Sequence, residues 1–233
     1  MSTSTPIHVA IIMDGNRRWA RKHKLALLLG HRQAAYETIE PLVDRFIERE
    51  VLYVTLWAFS TENWQRSKEE VEGLLNLFRE TLSKNFEKLH KKGVRLKTIG
   101  DIEKFPKDIY QKLINGVEQT KNNEKITVIL GLNYGGRDEI IRAVNQHLLN
   151  RPLTTDNRPL NAEDIINALD TSGIPDPDLI IRTGGEKRLS GFLLWQSEYS
   201  ELYFTDVLFP DFNPEELDHA LADYASRKRR FGK

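Results

Sequence analysis

The sequence predicts an α/β fold with a mostly parallel central sheet and helices on both faces. Short apolar runs rich in β-branched residues alternate with longer segments of helical periodicity, the pattern of repeated strand–helix units. The first run, His8–Met13, is continuously apolar from Val9 onward, as in a strand buried on both faces. No linker rich in Pro, Gly or Ser divides the 233 residues. We therefore expect a single domain over residues 1–233, with 1–6 flexible.

Six strands and six helices are expected along the chain. The strands follow from apolar, β-branched segments at His8–Met13, Val51–Phe59, Val94–Ile99, Ile126–Leu132, Leu179–Ile181 and Leu202–Phe204. The helices follow from apolar residues at helical spacing in His31–Arg49, Lys68–Lys92, Lys107–Asn122, Arg137–Leu149, Ala162–Leu169 and Pro214–Arg229. Pro41 predicts a bend or break in the first helix, because an interior proline removes a hydrogen bond. The polar segment Asn150–Leu160 contains two prolines and predicts a surface loop.

Composition excludes several classes of function. The chain carries 34 basic and 34 acidic residues, so its net charge gives no support for a nucleic-acid partner. It has no cysteine, which excludes disulfides and cysteine-based metal or redox chemistry. No apolar run approaches the roughly 20 residues that span a bilayer. The polar start of the chain lacks a signal-peptide pattern, and we therefore expect a cytoplasmic protein.

The most informative segment is Asp14 to Arg18, which directly follows the first predicted strand. Open α/β sheets bind ligands at the carboxyl ends of their strands, and Gly15 permits a tight turn close to a ligand. Asp14 is a hard oxygen ligand suited to Mg²⁺, and Arg18 matches phosphate oxygens. These residues alone leave two interpretations open. The segment is a metal–diphosphate site, or it is an ordinary turn, for which Asp-Gly-Asn is also well suited.

Further motifs follow in a fixed order. They are Ala58 to Arg66, Asn133 to Arg137, Arg182 to Ser190, Phe192 to Gln196 and Glu201 to Phe204. Together with the segment from His8 to Ala20, they resemble the cis-prenyltransferase family over nearly the whole chain. The resemblance implies a Mg²⁺-dependent enzyme that condenses isopentenyl diphosphate with an allylic diphosphate of the farnesyl or geranyl class. The new double bond is cis, and inorganic diphosphate leaves.

The same resemblance implies the product and the assembly. The expected product is undecaprenyl diphosphate or a similar cis-polyprenyl diphosphate, formed in a hydrophobic tunnel. The expected enzyme is a homodimer that contacts a membrane surface transiently to release its apolar product. The tail over residues 229–233 contains Arg230-Phe231-Gly232. This triplet resembles a motif that reaches across the dimer interface toward the isopentenyl diphosphate site.

Site residues are also assigned by the resemblance. Asp14 and Asn63 are the expected catalytic residues, and Asp14 and Glu201 are the expected ligands of Mg²⁺. The residues expected to bind substrates are Gly15, Asn16, Arg17, Arg18, Trp19, Leu27, His31, Ser60, Thr61, Glu62, Trp64, Arg66, Arg182, Arg188, Leu189 and Ser190. Of these, Arg182, Arg188 and Ser190 match the isopentenyl diphosphate site.

Three assignments keep an alternative. A neutral amide is a poor base near pH 7. Asn63 therefore either accepts the proton or orients isopentenyl diphosphate while the leaving diphosphate accepts it. Glu70 is either a site acid or a favourable partner of the helix dipole at a helix start. The apolar stripe of the helix Lys68–Lys92 is either core or tunnel wall, and comprises Val71, Leu74, Leu75, Phe78, Leu82, Phe86 and Leu89.

The chain departs from the family pattern at Leu27, where members usually carry arginine. An arginine contact to a charged oxygen contributes roughly 1.5–3 kcal/mol. Its absence predicts primer binding weaker by about ten- to a hundredfold, unless Arg17, Lys22 or Lys24 compensates. The same departure leaves open a diverged short-chain or cyclising enzyme. Leu132 is expected to narrow the tunnel. A non-catalytic partner subunit is disfavoured, because such subunits lose the Asp-Gly-Asn motif that this chain keeps.

Overall fold

Six parallel strands form one sheet in the computed structural model of the chain, which describes residues 5–150 and 159–228. The strands are β1 (His8–Ile12), β2 (Tyr53–Ser60), β3 (Val94–Ile99), β4 (Ile126–Tyr134), β5 (Leu179–Arg182) and β6 (Glu201–Phe204). Their order is β3-β4-β2-β1-β5-β6, and every neighbouring pair is parallel. The α/β class and the parallel sheet are confirmed.

Strand β1 lies at the centre of the sheet, as its apolar sequence predicts. All five of its residues are buried. Ile12 is in register with Trp57 of β2 on one side and with Arg182 of β5 on the other. The chain after β1 builds the sheet outward on the β2 side and then returns to the β5 side. The carboxyl end of β1 is therefore a switch point, where open α/β sheets form a ligand-binding crevice.

Eight α-helices accompany these strands in the described residues. They are α1 (Asn16–Lys22), α2 (Leu27–Gln33), α3 (Ile39–Glu48), α4 (Lys68–Lys91), α5 (Lys107–Thr120), α6 (Gly136–Asn150), α7 (Ala162–Ala168) and α8 (Pro214–Ser226). Short 3₁₀ turns occur at Thr61–Gln65, Ile102–Lys104 and Phe209–Asp211. None of the helices in the described ranges is long and apolar enough to cross a membrane.

The helix predicted over His31–Arg49, with a bend or break at Pro41, is interrupted as expected, but its bounds differ from the prediction. Helix α2 starts four residues earlier at Leu27, and a π-helical turn at Ala34–Thr38 separates it from α3. Pro41 is the third residue of α3 and has no N–H to donate to the preceding turn. The π-helical turn, which is wider than an α-helical turn, lies directly before the turn in which Pro41 leaves one carbonyl without its N–H partner. The predicted break is therefore present, but it lies before the proline.

Apolar layers cover both faces of the sheet. Val9 and Ile11 of β1 belong to a cluster that includes residues of α3 and α8. Ala10 and Ile12 point to the other face and pack in a cluster with Phe192 and Leu193. Apolar packing on both faces is thus explained by the alternation of side chains along a buried strand. The predicted flexible start, the loop at 150–160 and the tail at 229–233 fall wholly or partly outside the described residues.

Candidate active site

The predicted ligand-binding segment lies at the switch point of the sheet. Asp14 lies two residues after the end of β1, and its backbone is fixed on two sides. Its carbonyl oxygen accepts hydrogen bonds from Thr183 Oγ1 (2.7 Å) and from the Phe209 N–H (3.0 Å). Gly15 has φ 109°, and a Cβ there would lie 2.9–3.1 Å from atoms of Leu208. The turn after β1 therefore requires glycine for both conformation and space.

Two arginines from different elements hold the Asp14 carboxylate. Arg18 NH2 lies 3.1 Å from Oδ1, and Arg182 NH2 lies 3.0 Å from Oδ2. The Arg182 side chain is 7% exposed, whereas that of Asp14 is 30% exposed. The carboxylate therefore keeps access to the cleft, while its position is set by the ion pair with Arg18 and the charge-assisted hydrogen bond from Arg182.

A basic cleft of about 340 Å³ opens beside Asp14. Its lining includes four arginines from α1 and from the segment after β2, namely Arg17, Arg18, Arg21 and Arg66. Asp14 is the one carboxylate among the described lining residues. Four guanidinium groups outnumber this carboxylate and Glu70, which pairs with Arg66 at the edge of the cleft, and the net positive charge that remains suits a polyphosphate anion.

His31 faces the same cleft in its neutral form. Helix α2 reaches this position because Gly30 packs against Asn16, where a Cβ would overlap the carbonyl oxygen of Asn16. Burial, and to a lesser extent the charges of Arg66 and Arg17, lower the pKa of His31 from 6.5 to about 4. The buried Nε2 atom has no hydrogen-bond partner among the described residues. This unpaired nitrogen is therefore a candidate contact for a ligand that binds against it in the cleft.

Glu70 links two arginines of the cleft. Its Oε1 accepts a hydrogen bond from Arg66 NH1 at 2.9 Å and lies 3.6 Å from Arg17 Nε. Its backbone N–H donates to Ser67 Oγ at the start of α4 (3.3 Å). Two alternative roles were predicted for Glu70, namely a helix-start residue and an acid of the site. The structure shows both. Glu70 orients Arg66 and Arg17 at the edge of the cleft.

Arg182 organises the loop after β5. It donates to the carbonyl oxygen of Arg188 and to Ser190 Oγ (2.8 Å), and its NH2 group contacts Asp14. Arg182 and Ser190 both line the main cavity. Arg188 instead pairs with Glu186, and its side chain is 60% exposed. Of the predicted isopentenyl diphosphate residues, the structure brings Arg182 and Ser190 to the cavity and leaves the Arg188 guanidinium at the surface.

Asn63 takes part in a cap at the end of β2. Its Oδ1 accepts the Ser60 N–H at 3.1 Å, and the Ser60 side chain accepts the Asn63 N–H in return. Ser60, Glu62 and Asn63 all line the main cavity. Because Oδ1 is already an acceptor, the cap leaves the amide NH₂ as the group best suited to contact a ligand.

Several predicted substrate residues serve as anchors instead. Trp19 Nε1 donates to Asp211 Oδ1 (2.6 Å) and so ties α1 to the turn Phe209–Asp211. Trp64 Nε1 donates to Asn133 Oδ1 (2.8 Å), and its ring packs 4.9 Å from Phe59. The described lining of both cavities includes neither tryptophan, nor Thr61, nor Leu189. The structure therefore does not bring these four side chains into the cleft.

Glu201 is not beside Asp14 within one chain. It is the first residue of β6 and is in register with Leu179, the first residue of β5. Arg182, which contacts Asp14, lies three residues further along β5, a distance of about 10 Å. Because all strands run in the same direction, Glu201 lies at the amino edge of the sheet and Asp14 beyond the carboxyl edge. The Glu201 carboxylate accepts a hydrogen bond from Arg227 NH1 at 2.8 Å. Within one chain these two carboxylates therefore lie at opposite edges of the sheet, and the assignment of Glu201 to Mg²⁺ stays a prediction.

A largely apolar cavity of about 540 Å³ starts at the charged cleft and extends under α4. Asp14, Arg182 and Asn63 lie at its mouth, and Leu89, Leu96 and Val128 lie deep within it. Along α4 its wall comprises Leu74, Leu77, Phe78, Thr81, Leu82, Phe86 and Leu89. The rise of an α-helix makes this wall about 22 Å long from Leu74 to Leu89. The stripe on α4 is therefore a tunnel wall at most of its positions.

Part of the predicted wall belongs to the core instead. Leu75 is absent from the described cavity lining and packs with a cluster around Phe59 and Phe105. Leu132 is 1% exposed in the same cluster, and Leu130 of the same strand lines the cavity. The prediction that Leu132 narrows the tunnel is wrong, because its side chain points into the core between α4 and α5.

Comparisons with known proteins agree with this geometry. A family model described as "Putative undecaprenyl diphosphate synthase" matches residues 12–232. The chain belongs to the undecaprenyl diphosphate synthase family. An isoprenyl transferase of Clostridium tetani is 47% identical over 230 residues, covering 97% of this chain and 89% of the relative. The family resemblance and the class of enzyme, a cis-prenyltransferase, are confirmed.

Further relatives extend the comparison to named activities and solved structures. A Coxiella burnetii protein, "Ditrans,polycis-undecaprenyl-diphosphate synthase ((2E,6E)-farnesyl-diphosphate specific)", is 45% identical over 97% of this chain and 96% of its own length. Lavandulyl diphosphate synthase from Lavandula x intermedia, solved with dimethylallyl diphosphate, has a TM-score of 0.88 at 34% identity and 99% coverage of both chains. A Campylobacter jejuni protein described as a probable undecaprenyl diphosphate synthase has a TM-score of 0.83, also at 34% identity, over the full length of both chains.

Sequence reasoning missed some residues of this prenyltransferase site. Arg21 lines the basic cleft, one helical turn after Arg17 on α1. The i, i+4 spacing of these arginines was a usable signal, since such residues share a helix face. Leu77 and Thr81 of α4 line the cavity beside the predicted stripe. Thr81 gave no apolar signal because threonine is polar, and in the structure its hydroxyl donates to the Leu77 carbonyl within the helix at 2.8 Å.

Proposed function

We propose that this prenyltransferase condenses isopentenyl diphosphate with an allylic diphosphate in a Mg²⁺-dependent reaction and forms a cis-polyprenyl diphosphate. One observation supports this above all. A cleft with four arginines opens directly into an apolar cavity of about 540 Å³. Such a site matches a molecule with a strongly anionic head and a hydrocarbon tail.

The residues at the mouth fit a hydrated Mg²⁺ ion. Mg²⁺ is usually bound by one or two carboxylates, water and substrate phosphates, without a cage made only of protein ligands. Asp14 supplies a carboxylate that is held in place and open to the cleft. Asn16 Oδ1 is a buried acceptor without a hydrogen-bond partner in the described residues. Residues 5–150 and 159–228 contain no group of three His, Cys, Asp or Glu side chains that could hold a metal ion. Binding of Mg²⁺ through one carboxylate, water and phosphates does not need such a group. When bound there, Mg²⁺ would neutralise charge on the leaving diphosphate.

The protein's own groups divide between the two substrates. Arg17, Arg21 and His31 would bind the allylic diphosphate in the basic cleft and stabilise the charge that develops on it as the allylic C–O bond breaks. Arg182 and Ser190 would bind the diphosphate of isopentenyl diphosphate on the β5 side. The new C–C bond forms between the two substrates. The proton then lost from the isopentenyl unit passes to the departing diphosphate.

Asn63 would orient isopentenyl diphosphate through its amide NH₂ group. Its Oδ1 is already used in the cap with Ser60, which supports orientation over proton abstraction. The apolar wall on α4 would exclude water from the reactive allylic carbon. We also propose a homodimer, supported by the family resemblance of Arg230-Phe231-Gly232. Light scattering of the purified chain tests this assembly.

A second candidate product is a shorter or cyclised prenyl diphosphate. Leu27, where the family usually carries arginine, is the departure that favours a specialised substrate or product.

The experiment is a condensation assay with isopentenyl diphosphate, Mg²⁺ and a series of allylic primers. Thin-layer or mass analysis gives product length, and NMR gives the geometry of the new double bond. The proposal predicts cis products that require Mg²⁺ and are lost with a chelator. Absence of any condensation with dimethylallyl, geranyl, farnesyl and geranylgeranyl diphosphate would overturn it.

A further inference from the structure

A glycine in the interior of α5 faces an aromatic ring of the tunnel. Gly116 is buried in α5, and Phe86 lies in the last third of α4. A Cβ at Gly116 would lie 2.5 Å from Cδ2 and 2.9 Å from Cζ of the Phe86 ring, and nearer still to Cε2. Real Cβ atoms do not approach so closely. The Phe86 ring therefore occupies the space that any other residue at 116 would need.

The helix backbone gives no separate reason for glycine at this position. Gly116 has no left-handed φ and lies within a regular helix. Glycine is among the least favourable residues in a helix interior, and alanine is the most favourable. The Phe86 ring is thus the feature of the structure that explains Gly116.

The other side of the Phe86 ring faces the cavity. Phe86 lines its deep part together with Leu89, Leu96 and Val128. It also packs against both the main core cluster and the cluster between α4 and α5. Packed side chains surround the ring on these sides, whereas the cavity is open space. A residue larger than glycine at 116 would therefore displace the ring into the cavity.

We propose that Gly116 is a specificity-determining residue: it seats the Phe86 ring against α5 and thereby sets the usable depth of the tunnel. The inference rests on the proposed function, because the depth limits the length of the prenyl chain. Phe86 is 12 residues after Leu74, about 18 Å along α4, so a short chain ends before it and a long chain reaches it. Gly116 acts only through Phe86 and touches no substrate.

Three variants test this coupling: Gly116→Ala, Phe86→Ala and the double variant. Gly116→Ala should shift the products toward shorter chains, and Phe86→Ala should shift them toward longer chains. The double variant should behave as Phe86→Ala, because the added Cβ then meets no ring. Leu113→Ala is the matched control on α5, since Leu113 is buried in the core and is not part of the described cavity lining. It should lower the melting temperature without changing product length.

A binding measurement separates this inference from the proposed reaction. Geranyl, farnesyl and geranylgeranyl thiolodiphosphates serve as unreactive probes, titrated by calorimetry. Gly116→Ala should leave geranyl binding unchanged and weaken geranylgeranyl binding by about ten- to a hundredfold, the size of a typical overpacking penalty. If wild-type enzyme binds the probes but forms no product, the proposed function fails. The usable depth of the tunnel is still measured by how the affinity depends on probe length.

The inference is overturned if the affinity of Gly116→Ala depends on probe chain length as that of wild type does. It is also overturned if adding Gly116→Ala to Phe86→Ala still weakens the binding of the longer probes. Should Gly116→Ala not fold, Phe86→Leu provides the test. This variant removes the ring but keeps an apolar side chain. It must increase the ratio of the affinity for geranylgeranyl thiolodiphosphate to the affinity for geranyl thiolodiphosphate. The same affinity ratio as in wild type would contradict the role of the ring.

Discussion

Replacement of His31 by glutamine should remove part of the acid sensitivity of folding. The pKa of His31 is lowered from 6.5 to about 4, mainly by burial and further by Arg66 and Arg17. A shift of that size corresponds to about 3 kcal/mol, at 1.36 kcal/mol per pH unit. The unfolded chain takes up the proton first as pH falls. The free energy of unfolding therefore stays high above pH 6.5 and falls as pH decreases toward 4.

Denaturant unfolding of wild type and His31→Gln at pH 7 and pH 4 measures this contribution. Buried carboxylates and His8, whose pKa burial also lowers to about 4, contribute equally to both proteins and cancel in the difference. The wild type should lose about 3 kcal/mol more than His31→Gln between these pH values. NMR titration of labelled histidine gives the His31 pKa directly. An identical pH dependence of the two proteins, or a His31 pKa near 6.5, would refute the reasoning.

The same titration connects His31 to the ligand. Inorganic diphosphate in the cleft would place negative charge beside a ring that now faces Arg17 and Arg66. An anion favours the protonated imidazole, so saturating diphosphate should raise the His31 pKa. A His31 signal that does not respond to diphosphate would place the anion elsewhere.

Two further predictions concern the primer and the tunnel. Leu27→Arg should lower the KM for the allylic primer by about ten- to a hundredfold and leave that for isopentenyl diphosphate unchanged, because residue 27 lies one turn before His31 on α2. An unchanged or higher primer KM would contradict this. Leu82→Ala should change product length because Leu82 lines the cavity, whereas Leu132→Ala should cost about 2–5 kcal/mol of stability at constant product length. Product sizing alongside thermal melts distinguishes the two, and a longer product from Leu132→Ala would count against the core assignment.

Local patterns predicted the sheet because its strands are physically simple. A strand such as β1 that is buried on both faces must be apolar throughout, so its sequence shows it directly. Helix α1 was missed because its seven residues carry three arginines and little apolar periodicity. The π-turn at Ala34–Thr38 depends on how α2 and α3 dock, which no local pattern encodes. Tertiary packing decides such boundaries.

Motifs identified the charged cleft better than they identified the role of each side chain. Asp14, Arg18 and Arg182 meet because the ends of adjacent parallel strands share one edge of the sheet. Trp64 lies in an equally specific motif, but its hydrogen bond to Asn133 makes it part of the scaffold. The position of Glu201 depends on the register of β6, which the sequence does not reveal. Spacing indicates which residues matter, and the packing determines what each one contacts.

Asp14 is the central residue of the proposed active site, and Asp14→Asn tests that site most directly. Asparagine keeps the shape of the side chain but removes the charge that Mg²⁺ and the two arginines require. The measurement is single-turnover condensation of labelled isopentenyl diphosphate with farnesyl diphosphate, at increasing Mg²⁺, in wild type and Asp14→Asn. We predict a rate at least about a hundredfold lower that excess Mg²⁺ does not restore, with unchanged circular dichroism. A folded Asp14→Asn enzyme with a rate close to that of wild type would contradict the assignment of the active site.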